Sequence, residues 1–527
     1  MILSLEIRSF DELVEELREL RRKCLEGGGA KKIEIQHSKG KLTARERLDK
    51  LLDHGSFQEL GWLTITRSRY YEELGISFEK VKYLGDGVVV GYGKIDDRIV
   101  YVFAQDFTVM GGSIGEMHGL KIARIIEMAI ENQCPVIGLW DSGGARIQEG
   151  VASLHAAGLI FQANVKASGV IPQISLILGP CAGAASYSPA LTDFIIMTKD
   201  SFMFITGPEV VKAATGVETT FEELGGAGVH AATSGVAHFV TEDEDSALRL
   251  TRKLLSYLPQ NNTEDPPYIN TGDPWDRVNP ELDTVVPTDP TKPFDVHEVI
   301  AGIVDNGEFL EVQPDYARSA VIGFGRIGGF TVGIVANQPM VNAGVIDIDA
   351  SVKIARFVRF LDAFNIPIIT LVDTPGFMPG IDQEHGGIIR HGAKILFAYA
   401  SASVPKITVV MRKAYGGAYI AMGSRSLGAD IVFAWPTAEI AVMGPEGAVR
   451  ILYRKEAAKQ PDPEKFMREK LIEYRRLFAN PYRAAELGYI DDVILPSETR
   501  RKIYMALEAL REKREEVIPR KHSNMPL

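Results

Sequence analysis

The stretch Pro135-Val-Ile-Gly-Leu-Trp-Asp-Ser-Gly-Gly-Ala-Arg146 decides the fold, because the second half of the chain contains a counterpart, Pro367-Ile-Ile-Thr-Leu-Val-Asp-Thr-Pro-Gly-Phe377. Each begins with a short apolar run typical of a buried strand. Each run breaks at an aspartate and a glycine-containing turn, and an amphipathic stretch at helical spacing follows, near residues 147–166 and 387–402. Strand, turn and helix in this order predict an α/β fold with its sites at the turns.

A second unit of the same kind follows in each half. Gln173-Ile-Ser-Leu-Ile-Leu178 precedes the glycine-rich Gly179-Pro-Cys-Ala-Gly-Ala-Ala185, and Lys406-Ile-Thr-Val-Val-Met411 precedes Tyr415-Gly-Gly-Ala-Tyr419. We read both apolar runs as buried strands and both glycine-rich stretches as turns into helices.

Other matches show that the whole chain is a tandem repeat. Two further pairs of segments keep the sequence offset that relates Asp141 to Asp373: Gly91-Tyr-Gly-Lys-Ile95 with Gly323-Phe-Gly-Arg-Ile327, and Lys121-Ile-Ala-Arg124 with Lys353-Ile-Ala-Arg356. A third pair, Gly207-Pro-Glu209 with Gly444-Pro-Glu446, has a slightly larger offset. Eight of the 27 prolines lie in residues 257–293, a composition that disfavours helix and central strand. We therefore predict two copies of one domain, residues 1–280 and 281–527.

Composition excludes several classes of function. The formal net charge of −11 argues against a nucleic-acid partner. No apolar run approaches the roughly 20 residues of a membrane helix, and the N-terminus lacks a signal-peptide layout, so we expect a cytoplasmic protein with no membrane partner. Cys24, Cys134 and Cys181 have neither metal-ligand nor disulfide spacing, and the last two lie in apolar runs that predict a core role.

The glycine-rich turns are the candidate functional sites. One such turn alone usually only reverses the chain, but four occur at matching places in two copies. Glycine lets a ligand approach the backbone, and free N–H groups at a helix start can stabilise an oxyanion. We choose Gly183-Ala184 and Gly417-Ala418 as candidate oxyanion holes. Because no nucleophile or metal cluster stands out in the sequence, we expect catalysis by main-chain electrostatics, with the base supplied from elsewhere.

Several alternative motifs are rejected. Gly323-Phe-Gly-Arg-Ile-Gly328 has the dinucleotide-binding spelling, but the residues that follow it read as a strand rather than a helix. No Walker A sequence occurs. His118, His385 and His391 lack the companions of a metal site or catalytic triad, and we expect them to be polar residues of the core or surface.

These features resemble the carboxyltransferase family that includes propionyl-CoA carboxylase β subunits. The resemblance covers nearly the whole chain and rests on these stretches: Lys41-Leu-Thr-Ala-Arg-Glu-Arg47, Met110-Gly-Gly-Ser113, Asp141-Ser-Gly-Gly-Ala-Arg146, Gly179-Pro-Cys-Ala-Gly183, Asp373-Thr-Pro-Gly-Phe377, Lys413-Ala-Tyr-Gly-Gly-Ala-Tyr419, Trp435-Pro-Thr-Ala438 and Asn524-Met-Pro-Leu527. It implies two tandem crotonase-like domains of the ββα superhelix type, with acyl-CoA mainly on the N-terminal domain and biotin mainly on the C-terminal domain. It also implies a homo-oligomer, usually a hexamer built as a dimer of trimers, with each active site between domains of two subunits.

The resemblance further implies a mechanism. Carboxybiotin, carried on a separate protein, releases CO2, and the resulting biotin enolate takes the acyl α-proton. The acyl enolate then attacks CO2, so two oxyanion holes are needed. Gly417-Ala418 resembles the hole for the thioester and Gly183-Ala184 the hole for biotin, although which pair serves which substrate stays open. The family commonly has Gly-Gly where this chain has Gly183-Ala184.

Substrate-binding residues follow from the same resemblance: Gly112, Ser142, Gly143, Gly144, Ala145, Arg146, Tyr419 and Ile420. Ile420 resembles a wall of the acyl pocket, where aspartate is frequent in propionyl-preferring members, although a plain core position is the competing reading. We expect a small acyl group, with propionyl-CoA and acetyl-CoA both accepted, and no metal.

The chain performs half of a reaction. It has no Met-Lys-Met biotin-attachment site and no ATP-binding motif, so biotin carboxylase and biotin carboxyl carrier partners are expected. Three alternatives stay open at this point: a subunit of a sodium-pumping methylmalonyl-CoA decarboxylase, a crotonase-type hydratase or isomerase, and a non-catalytic CoA-binding scaffold.

Overall fold

The computed structural model describes residues 8–67, 69–515 and 518–527. The chain divides into two compact units, Met1–Ser256 and Tyr257–Leu527, so the division falls earlier than the predicted boundary at residue 280. The reason is that the proline-rich segment packs on the second unit. Ile269 donates its N–H to the Gly329 carbonyl (3.0 Å), and Thr331 Oγ1 donates to the Pro267 carbonyl (3.0 Å).

The first unit contains eight strands and eleven α-helices among its described residues. The strands are β1 (Gln58–Leu60), β2 (Val88–Ile95), β3 (Arg98–Gln105), β4 (Val136–Ser142), β5 (Gln173–Ala182), β6 (Phe194–Thr198), β7 (Phe202–Phe204) and β8 (Phe239–Thr241). The helices are α1 (Phe10–Leu25), α2 (Ala30–Ser38), α3 (Ala44–Leu51), α4 (Arg69–Glu72), α5 (Glu116–Glu131), α6 (Val151–Ala167), α7 (Ala184–Ala190), α8 (Pro208–Thr215), α9 (Phe221–Gly225), α10 (Ala227–Ala232) and α11 (Glu244–Leu255).

The second unit also contains eight strands, with ten α-helices among its described residues. The strands are β9 (Phe309–Val312), β10 (Ala320–Ile327), β11 (Phe330–Asn337), β12 (Ile368–Thr374), β13 (Lys406–Tyr415), β14 (Ile431–Ala434), β15 (Glu439–Ala441) and β16 (Asp492–Val493). The helices are α12 (Leu282–Val285), α13 (Val296–Ile303), α14 (Ile348–Ala363), α15 (Ile381–Gly386), α16 (Ile388–Ser401), α17 (Gly416–Ala421), α18 (Pro445–Ala457), α19 (Pro463–Phe478), α20 (Pro481–Glu486) and α21 (Thr499–Ala509).

The two sheets share one topology, which confirms the predicted repeat and the α/β fold. The strand order is β1-β2-β3-β4-β5-β6-β8 in the first sheet and β9-β10-β11-β12-β13-β14-β16 in the second. β7 pairs with β5, and β15 pairs with β13 in the same way. In each sheet the first three strands are antiparallel and the rest run parallel.

Continuous apolar runs form the central strands because parallel sheets are covered on both faces. Every residue of β4 and of β12 is buried. Helix α5 contributes Ile122, Ile125, Ile126 and Ala129 to the core of the first unit, the spacing of an amphipathic helix. The predicted strands and helices therefore take up the expected positions.

The central strands run further than predicted. β5 continues to Ala182 and β13 to Tyr415, so strand takes up Gly179–Ala182 of the first predicted turn and Tyr415 of the second. β6 accompanies β5 only as far as Ile177, and β7 then pairs with Pro180–Ala182. This second partner lengthens the strand, and the hydrophobic pattern alone does not show it. The helix expected from residue 147 begins at Val151, after a short 3-10 turn at Ile147–Glu149.

The rejected motifs are explained by the fold. Gly323 and Gly325 lie inside β10, and Gly328-Gly329 joins it to β11 as a hairpin, which confirms that no dinucleotide-binding loop is present there. His118 is fully buried, and its Nδ1 is 3.0 Å from the Asp86 carbonyl oxygen. Cys134 and Cys181 are core residues, as predicted. Within the described ranges, every helix is too short or too polar to cross a bilayer.

Candidate active site

The turn after β5 presents main-chain donors. Gly183 has φ 56°, a conformation that favours glycine. Its N–H donates to the Phe204 carbonyl (3.0 Å), so Gly183 shapes the turn and its own N–H is engaged. Ala184 and Ala185 open helix α7, where N–H groups have no intrahelical acceptor. Ala184 is therefore the member of the predicted pair with a donor to offer.

The turn after β13 has the same construction. Gly416 has φ 59°, and Gly417 and Ala418 follow it in the first turn of α17. Gly417 is exposed, whereas Ala418 is fully buried.

The sheet register shows how the two turns correspond. Ser142 on β4 pairs with Cys181, and Thr374 on β12 pairs with Ala414. Gly183 therefore corresponds to Gly416, and Ala184 to Gly417. The two predicted pairs are displaced by a single position relative to each other, because the second copy has gained one residue between its β12 and its β13.

Around the second turn lie the other predicted residues of this unit. A Cβ on Gly417 would lie 3.9 Å from the Phe377 ring, and a Cβ on Gly392 would lie 2.9 Å from it. Because both residues are glycines, the Phe377 ring has room to lie between them. Tyr419 is half-buried, and burial raises the pKa of its hydroxyl, as does Tyr489. Ile420 is 41% exposed, which argues against a plain core role.

In the first unit, two loops are joined by main-chain hydrogen bonds. Gly143 donates to the Gly111 carbonyl (3.0 Å) and Ile114 to the Gly144 carbonyl (2.8 Å). A Cβ on Gly112 would lie 2.0 Å from the Asp141 carbonyl oxygen, and one on Gly144 (φ 102°) would lie 2.7 Å from the Ala182 carbonyl oxygen. Glycine at 112 thus lets its loop close against the end of β4, and glycine at 144 lets the other loop close against the end of β5.

Two of the predicted substrate residues have other partners. The Ser142 hydroxyl is buried and accepts from the Gly144 N–H (3.1 Å). The Arg146 side chain is 0% exposed and binds Asp86 (2.6 Å) and Glu149 (2.7 Å). These two side chains fix the turn from inside, and a substrate contact at these two residues stays a prediction. Gly143 and Ala145 are the accessible members of this stretch.

Each sheet also holds a buried aspartate that was not among the predicted site residues. Asp141 binds Lys41 Nζ (2.6 Å) and Arg47 Nη2 (2.9 Å). Asp373 binds Arg412 Nη2 (2.8 Å) and accepts the Lys413 N–H (2.8 Å). Both carboxylates are 0% exposed. The repetition of Asp141 as Asp373 was the available signal.

These contacts bear on the hydratase alternative. Such an enzyme needs carboxylates free to exchange protons with a substrate. The aspartates at the two strand ends are instead ion-paired and inaccessible. Two sheets of one topology, each ending in such a turn, characterise a tandem crotonase-like protein.

Comparison with known proteins gives the family. The Carboxyl transferase domain model matches residues 35–525, and the chain belongs to this family. The "Propionyl-CoA carboxylase, carboxyltransferase subunit" of Haloferax mediterranei is 56% identical over 520 residues, which is 98% of this chain and 100% of that protein. The "Methylmalonyl-CoA decarboxylase subunit alpha" of Veillonella parvula is 54% identical over 517 residues, covering 98% of this chain and 99% of that protein.

A solved structure confirms the crotonase-like fold. The crystal structure of transcarboxylase 12S, described as a hexamer assembly with methylmalonyl-coenzyme A and methylmalonic acid bound, superposes with a TM-score of 0.96. It is 53% identical, and the match covers 99% of each chain.

Proposed function

We propose that this chain is the carboxyltransferase subunit of a biotin-dependent acyl-CoA carboxylase, which transfers the carboxyl group from carboxybiotin to the α-carbon of propionyl-CoA and acetyl-CoA. The observation that carries the proposal is the pair of equivalent turns, at Ala184 and at Gly417, whose main-chain N–H groups open a helix. Carboxyl transfer develops negative charge on two carbonyl oxygens, one on the thioester and one on the ureido group. One turn for each oxygen meets that requirement.

The residues at each turn act by electrostatics. Preorganised N–H donors stabilise a developing oxyanion without rearrangement, and one such donor contributes about 10²–10³ in rate. Gly183 and Gly416 hold the chain at positive φ, which places the donors of the following residues at the strand end. In the first unit, Gly112 and the stretch Gly143–Ala145 form the two adjoining loops for the acyl-CoA.

The second turn leaves room for either substrate. Gly417 is exposed and has no side chain to obstruct a planar ring system, and the Phe377 ring beside it supplies an apolar surface. When bound, carboxybiotin supplies the CO2 and the base that takes the α-proton. The same turns can serve either substrate chemically, and the proline variants described in the Discussion assign them.

Carboxylation of biotin is the half of the reaction for which this chain has no ATP-binding motif, so other proteins are expected to perform it. We propose a biotin carboxylase and a biotin carboxyl carrier protein as partners, with biotin attached to the carrier rather than to this chain. A hexamer is proposed from the likeness to transcarboxylase 12S, which is described as a hexamer assembly. The proposed location is the cytoplasm.

The test uses the purified chain with methylmalonyl-CoA or malonyl-CoA and free biotin, and follows propionyl-CoA or acetyl-CoA by mass spectrometry. We expect biotin-dependent loss of the carboxyl group from both substrates. A folded protein that binds CoA but gives no turnover, with free biotin or with a biotinylated carrier domain, would reject carboxyl transfer in favour of the scaffold.

A decarboxylase subunit is the second candidate, because methylmalonyl-CoA decarboxylase α subunits are also 54% and 52% identical to this chain. The active-site chemistry is the same in both directions, so the assay above does not separate the two. Co-purification does: a biotin carboxylase indicates carboxylation, whereas an integral membrane partner indicates decarboxylation.

A further inference from the structure

We infer that Thr66, Tyr71 and Asp86 are positioning residues that fix the Gly143–Ala145 turn through Glu149 and Arg146. The inference rests on the proposed function, because it assigns this turn to acyl-CoA. None of the three residues belongs to the loops that form the site.

The three residues lie on a connection that is much longer in the first unit than in the second. Residues 61–87 join β1 to β2, whereas residues 313–319 alone join the equivalent strands β9 and β10. The sheets have the same topology, so the sheet itself does not require the longer connection. The hydrogen bonds made by residues 61–87 show what this longer connection contributes to the site.

Glu149 is the centre of these contacts. Its side chain is 0% exposed, and its carboxylate accepts from the Thr66 hydroxyl (2.7 Å) and the Tyr71 hydroxyl (2.9 Å) of the connection. It also accepts from Arg146 Nη1 (2.7 Å) and the Glu116 N–H (2.6 Å). A buried carboxylate needs such donors, and losing one leaves part of its hydrogen-bonding capacity unsatisfied away from water.

Arg146 extends the network to both loops of the site. Nη1 binds Asp86 Oδ1 (2.6 Å), and Nη2 donates to the Ser113 carbonyl (3.0 Å). The Arg146 N–H donates to the Ile114 carbonyl (2.9 Å) and also to the Ser153 hydroxyl (3.0 Å). The guanidinium therefore lies between two carboxylates and holds the loop at residues 110–113 against the loop at 141–146.

The ionisation of Glu149 and Tyr71 favours the network, whereas burial raises the pKa of Asp86 and opposes its charge. Burial opposes the charge on Glu149, but Arg146, the Glu116 amide and Thr66 together lower its pKa. Burial raises the pKa of Tyr71 to about 12, so its hydroxyl keeps its proton and donates at neutral pH.

Among the described residues, the second unit lacks the equivalent network. The Ile346–Phe377 bridge corresponds to the Ile114–Ala145 bridge, at the same sequence offset that relates Asp141 to Asp373. At that offset, Met378 takes the place of Arg146, and Ile381, 74% exposed, takes the place of Glu149. The first turn is therefore held by buried charges that the second does not have. A turn that is fixed before the substrate binds avoids reorganisation at the reacting centre.

The experiment compares Thr66→Val and Tyr71→Phe, alone and combined, with Tyr83→Phe as the matched control. Tyr83 is on the same connection, and its hydroxyl contacts only Lys32 (3.4 Å) among the described hydrogen bonds. The readouts are kcat/KM for the acyl-CoA, KM for free biotin, the calorimetric Kd for the acyl-CoA, and Tm.

We expect the combined variant to lose about 10- to 100-fold in kcat/KM for the acyl-CoA, with its KM for biotin unchanged and Tyr83→Phe at wild-type values. Thr66→Ser, which keeps the hydroxyl, should restore activity in the Thr66 series. Wild-type kcat/KM in the folded combined variant, or a lower Tm with no change in acyl-CoA affinity, would overturn the inference. If wild type gives no transfer, the proposed function fails, and the calorimetric Kd still tests the network.

Discussion

Gly179 of the first unit and Arg412 of the second occupy the same position in their sheets, and both face a buried aspartate. The register of β4 with β5 and of β12 with β13 establishes the equivalence. A Cβ on Gly179 would lie 2.2 Å from Asp141 Oδ1 and 2.3 Å from Lys41 Nζ. The first strand thus leaves space for a cation that arrives from the N-terminal segment, whereas the second strand supplies its own guanidinium.

This difference predicts unequal effects of removing one cation. Arg412→Met leaves Asp373 buried without a charged partner, and we expect a loss of about 3–5 kcal/mol. Lys41→Met should cost less, because Arg47 stays 2.9 Å from Asp141. Urea unfolding of both variants beside wild type, followed by tryptophan fluorescence, provides the measurement. Equal shifts in the urea midpoint of Arg412→Met and Lys41→Met would contradict this account of the cations that pair with Asp373 and Asp141.

Removing a main-chain donor tests the oxyanion holes. Ala184→Pro and Gly417→Pro delete one N–H each at the start of a helix, where proline is tolerated. We expect kcat to fall about 10²–10³-fold in each. Gly417 is preferable to Ala418 for this purpose, because Ala418 is fully buried and a proline ring would crowd its neighbours.

Ala30→Pro is the control for these variants, since Ala30 is the first residue of helix α2 and is exposed. Its kcat should equal that of wild type. Separate KM values for acyl-CoA and biotin then show which turn serves which substrate. Full activity in folded Ala184→Pro and Gly417→Pro would reject main-chain stabilisation.

Ile420 is expected to influence the choice of acyl group. Ile420→Asp places a carboxylate beside Ala418 and Tyr419, and we expect the ratio of kcat/KM for propionyl-CoA over acetyl-CoA to change. One methylene normally changes the discrimination between two substrates by only about 1–3 kcal/mol. A small change in the wall of the acyl pocket should therefore produce a measurable change in this ratio. Ile451→Asp adds the same charge at another exposed isoleucine (69%) and should leave the ratio alone. An unchanged ratio in Ile420→Asp would remove this residue from the acyl pocket.

A histidine in the second unit should make stability depend on pH. His297 Nε2 is 2.9 Å from Glu311 and its Nδ1 is 2.7 Å from Asp295. The hydrogen bond to Glu311 raises its pKa to about 9; burial opposes this shift and Asp295 reinforces it. Since the folded pKa lies above the unfolded value near 6.5, the stabilisation is complete below about pH 6.5 and disappears as the pH rises through 9.

His297→Gln should therefore lower Tm at pH 6 and change it little at pH 9.5. The side chain is 42% exposed, so after solvent screening we expect only about 1 kcal/mol. Glu311→Gln should weaken the same pH dependence. A Tm difference between wild type and His297→Gln that stays constant from pH 6 to 9.5 would contradict the ion-pair account.

Repetition made much of the fold predictable from the sequence. The apolar runs before Asp141 and Asp373 identified the central strands, and their spacing identified two copies of one domain. The lengths of β5 and β13 were not predictable, because β7 and β15 extend them from distant points in the chain. The single-residue displacement between the two turns became visible only in the strand register.

The site was predictable where the main chain supplies the chemistry and less so where side chains do. Glycine is required at 112, 144 and 183 because the chain there has positive φ or packs closely against a neighbouring main-chain oxygen. The glycines in the sequence therefore identify the turns. Arg146 was predicted as a substrate residue only from the family resemblance. Its partner Asp86 is 60 residues away in sequence, and only folding brings the two together.

The two-unit division also has a consequence for how the protein is made. All strands of the first sheet precede Ser256, and all strands of the second follow Tyr257. A ribosome that has released Ser256 from its exit tunnel has therefore delivered every partner that the first sheet needs. At about 5–20 residues per second, the remaining half takes tens of seconds to translate. The N-terminal half has that time to fold on the nascent chain before the second copy of the domain is complete.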